Sequence, residues 1–175
     1  MENLILQQDV IDFLRESNNI EDVWDDLSLA QAITAWNYVI EKPILDASVV
    51  LKTHKILMLA QHLLPSEKGY FRKEAVYVGG REGKPWFVIP ELIGQWARKV
   101  NHLVTAVETV TLDDDHVDLE DLIAQHHVEY EKIHPFIDGN GRTGRIFYNW
   151  QRVKCGLPIE VIWECKKEEY YDWFK

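Results

Sequence analysis

The stretch HPFIDGNGRTGR, residues 134–145, joins the end of one predicted helix to the start of the next. Pro135 ends the first helix, because proline disfavours helix in the residue before it, and helical apolar spacing resumes near Arg142. Gly139 and Gly141 let the backbone turn tightly and let N–H groups approach an anion. A helix N-terminus adds unpaired N–H donors and a partial positive charge. The stretch therefore predicts a phosphate-binding loop.

Charged side chains in the same stretch supply further parts of a phosphate-transfer site. Arg142 and Arg145 are three residues apart, so both guanidinium groups can face the same phosphates. Asp138 could hold a divalent cation that bridges phosphate oxygens, as magnesium does. His134 belongs to the residue type best suited to accept a proton near neutral pH. The stretch is neither a Walker loop, since GxxxxGK[ST] is absent, nor a dinucleotide fingerprint, since no strand precedes it.

This basic, glycine-rich stretch belongs to an acidic protein. The 175 residues carry a formal net charge of −10, which argues against nucleic acid or an anionic membrane as a partner. Residues 139–159 contain basic residues and no acid, whereas residues 111–138 are strongly acidic. We interpret the acidic run that begins at Asp113 as a solvated loop and helix start, with docking of a basic target as the alternative.

Composition and patterning indicate one mainly α domain over residues 1–175. Hydrophobic residues make up 46% of the chain and charged residues 27%, as in globular proteins with a packed core. The interpretation divides the chain into an N-terminal segment (1–27), a core (28–155) and a C-terminal helical extension (156–175). Apolar spacing predicts helices over the following segments: 29–40, 46–64, 92–107, 119–133 and 142–153, with shorter ones near the N-terminus and at 165–174.

One segment departs from the helical pattern. Residues 75–78 and 86–89 are rich in β-branched and aromatic residues, and three glycines lie between them. This pattern predicts a β-hairpin. A lone hairpin is marginally stable in water, so it must lean on the helices or on a ligand.

The sequence also indicates a cytoplasmic protein. Cys155 and Cys165 cannot build a disulfide framework and match no metal-site spacing, so we predict reduced thiols. The first residues carry acids and lack the basic region of a signal peptide. No apolar run approaches the length of a membrane span.

The stretch at 134–145 resembles the signature of the Fic family, HxFx[DE]GNGRxxR, and matches it at every specified position. The similarity continues upstream, where GYFR (69–72) followed by VYVGG (76–80) resembles the segment leading into the family's flap hairpin. His54 lies where many members carry a histidine. The resemblance covers about residues 28–155 and implies a helical bundle with a β-hairpin flap beside the active site.

The usual activity of the family is transfer of AMP from ATP to a Tyr, Thr or Ser hydroxyl of a protein target, with Mg²⁺ as cofactor. The resemblance implies that His134 is the general base and that Asp138 binds magnesium. Arg142 and Arg145 would neutralise the β- and γ-phosphates, and Asn140 would fix the phosphate chain. The implied nucleotide-binding residues are Gly139, Asn140, Gly141, Arg142, Thr143, Gly144 and Arg145.

The resemblance also gives the hairpin a role. In the family, the flap holds the target backbone in an extended form by strand addition. The candidate target-docking residues are Val76, Tyr77, Val78, Gly79, Gly80, Pro85 and Trp86.

An inhibitory helix is a further feature that the resemblance implies. Many members carry the pattern [ST]xxxE[GN], which Ser17 and Glu21 match, although Asp22 stands at the Gly or Asn position. The implied mechanism is that Glu21 binds Arg145 and displaces the γ-phosphate. The alternative is ordinary helix capping, with Asn18 as N-cap.

Other functions stay open at this point. Family members can use UTP or CDP-choline, and one branch works as a kinase, which the intact GNGR sequence disfavours. Removal of AMP, or nucleotide binding without turnover, would use the same site. A zinc enzyme built on His126, His127 and His134 is least favoured, since no HExxH or cysteine ligand set exists. The resemblance also allows a homodimer.

Overall fold

The computed structural model describes residues 8–78, 80–109 and 118–175. Within these ranges the chain is a helical bundle with one two-stranded hairpin, as the sequence predicts. The main helices are α1 (Gln8–Asn19), α2 (Asp26–Ile40), α3 (Ala47–Leu57), α4 (Ile89–Thr109), α5 (Leu119–Ile133) and α6 (Asn140–Lys154). A 3₁₀ turn (Glu164–Lys166), α7 (Lys167–Tyr171) and a second 3₁₀ turn (Asp172–Phe174) complete the C-terminal segment, so the helix predicted at 165–174 is present but broken into short pieces.

Aspartate side chains begin three of these helices. Asp25, Asp46 and Asp118 each accept a hydrogen bond from the backbone N–H three residues later, at 2.8, 2.8 and 3.1 Å. Each carboxylate lies at the positive end of a helix dipole. Some of the acidic residues of the chain therefore serve as helix N-caps.

Helix α6 is the central element of the bundle. Nearly all of its side chains are buried, including Trp150, and it contacts each of the five preceding helices. Trp96 of α4, Tyr130 of α5 and Phe147 of α6 form an aromatic cluster with ring centroids 5.0–5.7 Å apart. This packing fixes α5 against α6 and so holds the loop between them in place.

Helix α3 is shorter than the sequence predicts. It ends at Leu57, whereas the apolar pattern predicted helix over 46–64. Leu59 and Leu64 are more than half exposed, so the apolar residues beyond Leu57 do not continue a buried helix face. Met58 is fully buried and lies beneath the loop that follows α5.

The hairpin differs from its prediction in its second strand. Strand β1 (Tyr77–Val78) pairs antiparallel with β2 (Arg81–Glu82), with Tyr77 opposite Glu82. The predicted strand at 86–89 is wrong: Trp86–Val88 is a 3₁₀ turn that leads into α4. The β-propensity of these residues is overridden because Ile89 must be buried at the start of α4.

Two smaller expectations are tested by the structure. Asn18 lies within the last turn of α1, so the alternative that made it an N-cap is wrong. Cys155 and Cys165 are free thiols, as predicted. In the described residues, every helix is too short or too polar to cross a bilayer.

Candidate active site

The loop from His134 to Gly139 begins and ends with left-handed backbone. His134 caps the C-terminus of α5 with φ 50°, and Gly139 precedes α6 with φ 81°. A side chain at position 139 would also collide with Met58, whose Sδ would lie 2.6 Å from the added Cβ. Glycine is therefore required here for both its conformation and its size.

The Asn140 side chain closes this loop. Its Oδ1 accepts a hydrogen bond from Phe136 N at 2.9 Å, and its Nδ2 donates to Phe136 O at 3.0 Å. The side chain is buried, and both of its polar atoms are engaged by this one residue. The side chain of Asn140 therefore shapes the loop, and its contact with the phosphates, which the resemblance implied, stays a prediction.

His54 supports the loop from below. Its ring is stacked on Phe136, with centroids 3.6 Å apart and planes 7° apart. Its Nδ1 accepts from Gly69 N at 2.9 Å, so the proton lies on Nε2, which donates to Asp138 O at 2.9 Å. His54 therefore joins α3, the segment before the flap and the signature loop.

We expect His54 to make the free energy of unfolding depend on pH. Burial lowers the pKa of His54 from 6.5 to about 4, so between these values the unfolded chain binds a proton that the folded chain does not. The stabilisation is complete above about pH 6.5 and is lost as the pH falls toward 4, by roughly 3 kcal/mol. Urea unfolding of the wild type and of His54→Gln should give two stability curves that converge as the pH falls. Parallel curves from pH 7 to pH 4 would contradict this prediction.

His134 is arranged as a neutral imidazole. Burial lowers its pKa, so the ring is uncharged near pH 7. Its Nδ1 lies 3.4 Å from Glu131 O, a weak contact that favours a proton on Nδ1. Nε2 then keeps its lone pair, as a proton acceptor requires.

Arg72 links this histidine to the flap. Its Nε donates to His134 O at 2.7 Å, while Nη1 donates to Glu74 O at 2.7 Å and Nη2 to Lys84 O at 2.5 Å. The guanidinium is buried and so fixes both ends of the flap relative to the signature loop. In the sequence, Arg72 stands out only as part of the GYFR segment, because nothing in the sequence shows which carbonyl groups its guanidinium would bind.

Two buried arginines extend from the start of α6. Arg142 and Arg145 are 3% and 2% exposed. Arg142 contacts Asp138 only weakly, at 3.5 Å between Nη2 and Oδ2. The first-turn N–H groups of α6 have no intrahelical partner, and together with these guanidinium groups they form a site suited to an anion.

A carboxylate of the chain itself lies at this site. Glu21, just beyond α1, accepts a hydrogen bond from Arg145 Nη2 at 2.7 Å. Ser17 adds two more contacts, with its Oγ 2.9 Å from Arg145 Nε and its backbone O 2.8 Å from Nη2. The pairing of Glu21 with Arg145 that the resemblance implied is therefore present.

Two neighbouring residues accommodate the Glu21 carboxylate. A Cβ at position 141 would overlap Glu21 Oε1, so Gly141 is needed for Glu21 to approach. Asp22 has φ 56°, in the left-handed region that Gly and Asn adopt most easily. The conformation explains why Gly or Asn would suit position 22, and Asp22 tolerates it without losing the Glu21 contact.

Thr143 and Gly144 face the protein interior. Thr143 Oγ1 donates to Gly139 O at 2.8 Å and lies 3.0 Å from Tyr130 Oη. A Cβ at position 144 would overlap Glu131 Oε1. This face of α6 therefore packs against α5, and the nucleotide-binding role that the resemblance implied for Thr143 and Gly144 stays a prediction.

The donor set for a cation is centred on Asp138. Its side chain is 56% exposed, and Oδ1 accepts from Gly139 N at 2.6 Å, which leaves Oδ2 facing outward with only the weak Arg142 contact. A single carboxylate together with substrate phosphates and waters is a usual magnesium ligand set, so Asp138 fits the role. In the described ranges, no group of three or more His, Cys, Asp and Glu side chains gathers around one point. His126 contacts Gln151, and His127 contacts Tyr170.

The first strand of the flap is exposed to solvent. Tyr77 is 73% exposed and Val78 is 40% exposed. Gly80 has φ 77° and lies in the turn. Trp86 is exposed as well, but it lies on the 3₁₀ turn and not on a strand. The candidate residue Gly79 lies outside the described residues.

Comparisons with known proteins agree with this geometry. The family model described as "Fic/DOC family" matches residues 44–151, more than half of the chain. Two curated relatives are each named protein adenylyltransferase Fic. The one from Drosophila mojavensis is 29% identical over 78% of this chain and 25% of its own length. The one from Aedes aegypti is 30% identical over 72% of this chain and 23% of its own length. The chain thus spans about a quarter of the length of the curated relatives it matches.

Solved structures share the fold. A Fic-domain-containing signalling protein from Bacteroides thetaiotaomicron has a TM-score of 0.73 at 18% identity, covering 93% of this chain and 69% of that one. Residues 134 to 508 of Fic-1 from C. elegans give 0.71 at 18% identity, covering 95% and 55%. At this identity the likeness shows the fold alone.

Proposed function

Because the chain belongs to the Fic/DOC family, we propose that it transfers AMP from ATP to a Tyr, Thr or Ser hydroxyl of a protein target and that Glu21 holds this activity in check. The observation that carries the proposal is the Glu21 carboxylate, which lies at the start of α6 against buried Arg145. A site that binds the chain's own anion is suited to bind the phosphates of a nucleotide.

His134 acts as the general base. The target hydroxyl oxygen attacks the α-phosphorus, and its proton passes to Nε2 of neutral His134. The bond between the α-phosphorus and the bridging oxygen to the β-phosphorus breaks, and pyrophosphate leaves. The left-handed conformation of His134 and the bond from Arg72 to its carbonyl fix the backbone from which the ring extends.

The start of α6 binds the phosphates. Its first-turn N–H groups and the guanidinium groups of Arg142 and Arg145 offset the negative charge that grows on the leaving pyrophosphate. Both arginines are buried before substrate binds, so their positions cost little reorganisation. Asn140 contributes by fixing the backbone from which these N–H groups extend.

Asp138 would hold Mg²⁺ in this scheme. Bound magnesium neutralises charge on the α- and β-phosphates. Asp138 is suited to bind it because its backbone carbonyl is fixed by His54 while its Oδ2 remains accessible.

The flap positions the target. Tyr77 and Val78 offer backbone groups to an extended segment of the target protein, which pairs as an added strand. Main-chain pairing tolerates many target sequences, so these residues set the position of the hydroxyl more than the identity of the target.

The transferred group distinguishes this activity from its alternatives. We expect Glu21→Gly protein added with Mg²⁺ to a cell lysate to raise protein labelling above that of the lysate alone when ATP carries its label on the α-phosphate, and to add no label when the label is on the γ-phosphate. The reason is that AMP transfer retains the α-phosphate and releases the γ-phosphate in pyrophosphate. An increase in γ-phosphate labelling over the lysate alone would instead show a kinase. Parallel reactions with α-labelled UTP, CTP and GTP measure the preference for the base.

A further inference from the structure

Arg145 is held by two separate segments of the chain. Three of its hydrogen bonds in the described residues go to α1 and the turn after it, at Nε and Nη2. The fourth goes to the C-terminal segment, where Nη1 donates to Tyr170 Oη at 3.4 Å. The guanidinium carbon also lies 5.5 Å from the centre of the Tyr170 ring, within range of a cation–π contact. Tyr170 therefore contacts Nη1, whereas α1 and the turn after it contact Nε and Nη2.

The Tyr170 hydroxyl is itself fixed. It lies 2.8 Å from His127 Nε2, and both side chains are buried. Burial lowers the pKa of His127 to about 3 and raises that of Tyr170, so both groups are neutral. A guanidinium can only donate, so Arg145 donates to Tyr170, and neutral His127 with its proton on Nδ1 accepts from the Tyr170 hydroxyl at Nε2.

Aromatic packing anchors the segment that carries Tyr170. Its ring lies 5.1 Å from Phe174 and 5.4 Å from Trp173, both edge-on. The His127 ring packs against the same two side chains, at 6.0 and 6.3 Å. One anchor is helix α5, which belongs to the core of the bundle, and the segment also contacts α1, where Glu164 N donates to Glu16 Oε2 at 2.8 Å.

We propose that Tyr170 is a positioning residue that keeps Arg145 oriented toward the terminal phosphate of ATP when Glu21 no longer binds it. Glu21 and the γ-phosphate compete for one face of the guanidinium, and Tyr170 holds the opposite nitrogen in either state. The proposal rests on the proposed function for the identity of the nucleotide. Tyr170 lies outside residues 44–151, the range that the family model matches.

The test is nucleotide binding in the Glu21→Gly background. We expect Tyr170→Phe, which removes one oxygen, to weaken binding of ATP with Mg²⁺ by about three- to tenfold, because the hydrogen bond that is lost is long, at 3.4 Å, and contributes no more than an ordinary one. Binding of ADP should change by less than twofold, since ADP has no γ-phosphate to meet Arg145. Isothermal titration of both nucleotides measures the difference.

Controls separate this role from a structural one. Tyr38→Phe removes a hydroxyl from α2, where the Tyr38 ring contacts Lys42, and should leave both affinities unchanged. His127→Gln removes the ring that supports Tyr170, so it should also weaken the binding of ATP. Equal losses for ATP and ADP, or no loss for ATP, would overturn the proposal. These binding results stand whether or not AMP transfer is observed, so failure of the proposed function is detected separately by the labelling assay.

Discussion

Replacing Glu21 by glycine should raise protein labelling from α-labelled ATP by at least about tenfold. The Glu21 carboxylate lies 2.7 Å from Arg145 Nη2, at the site proposed for the γ-phosphate. A hydrogen bond between charged groups contributes about 1.5–3 kcal/mol, which corresponds to roughly a ten- to hundredfold change in an equilibrium. Removing the carboxylate frees Arg145 for ATP and lets the α-phosphate take its productive position. Initial rates of labelling at saturating ATP measure the effect.

Asp22→Gly is the matched control for this substitution. It removes the adjacent acid and leaves the Glu21 pair intact, and glycine suits the backbone of position 22, where φ is 56°. We expect labelling to stay at the wild-type level or to fall, because a relaxed turn holds Glu21 at least as well. An equal rise in both variants would mean that disturbing the turn, and not freeing Arg145, relieves inhibition. If labelling does not rise in Glu21→Gly, Glu21 is not inhibitory.

The local features of the site could be predicted because they depend on short stretches of sequence. Gly139 must adopt positive φ, Pro135 ends a helix, and the charges that follow lie on one helical turn. Each of these consequences follows from the residue itself and its near neighbours. The loop, the two helices beside it and the buried arginines therefore appear in the structure where the sequence placed them.

Features that depend on distant contacts could not be predicted in the same way. Arg72 meets the carbonyl of His134, 62 positions away, and Tyr170 meets His127, 43 positions away. Asn140 carries two donors and an acceptor that suit phosphate oxygens or a backbone equally well. Only the folded loop shows that the Phe136 backbone engages the acceptor and one of the donors. The prediction of the second strand at 86–89 was wrong for a related reason. Ile89 is buried by the packing of α4 against other helices, and β-propensity does not report that packing.

Replacing His134 by alanine in the Glu21→Gly background should lower the rate of AMP transfer by about 10²–10⁴-fold, the usual cost of losing a general base. ATP binding should be nearly unchanged, because the proposed phosphate contacts come from α6. The pH profile of the parent Glu21→Gly protein gives a second measure. Burial lowers the pKa of His134 from 6.5, so the rate should fall as the pH drops through a midpoint below 6.5, where the ring becomes protonated.

Two further variants separate chemistry from folding. His134 adopts φ 50°, where alanine is strained and asparagine is tolerated, so His134→Asn keeps the backbone and still lacks a base of suitable pKa. It should lose as much activity as His134→Ala and show a higher melting temperature. His102→Ala, at an exposed position of α4, should retain the parent rate. Labelling that persists in both His134 variants would exclude His134 as the base, whereas loss of ATP binding in both would mean that His134 acts by shaping the loop.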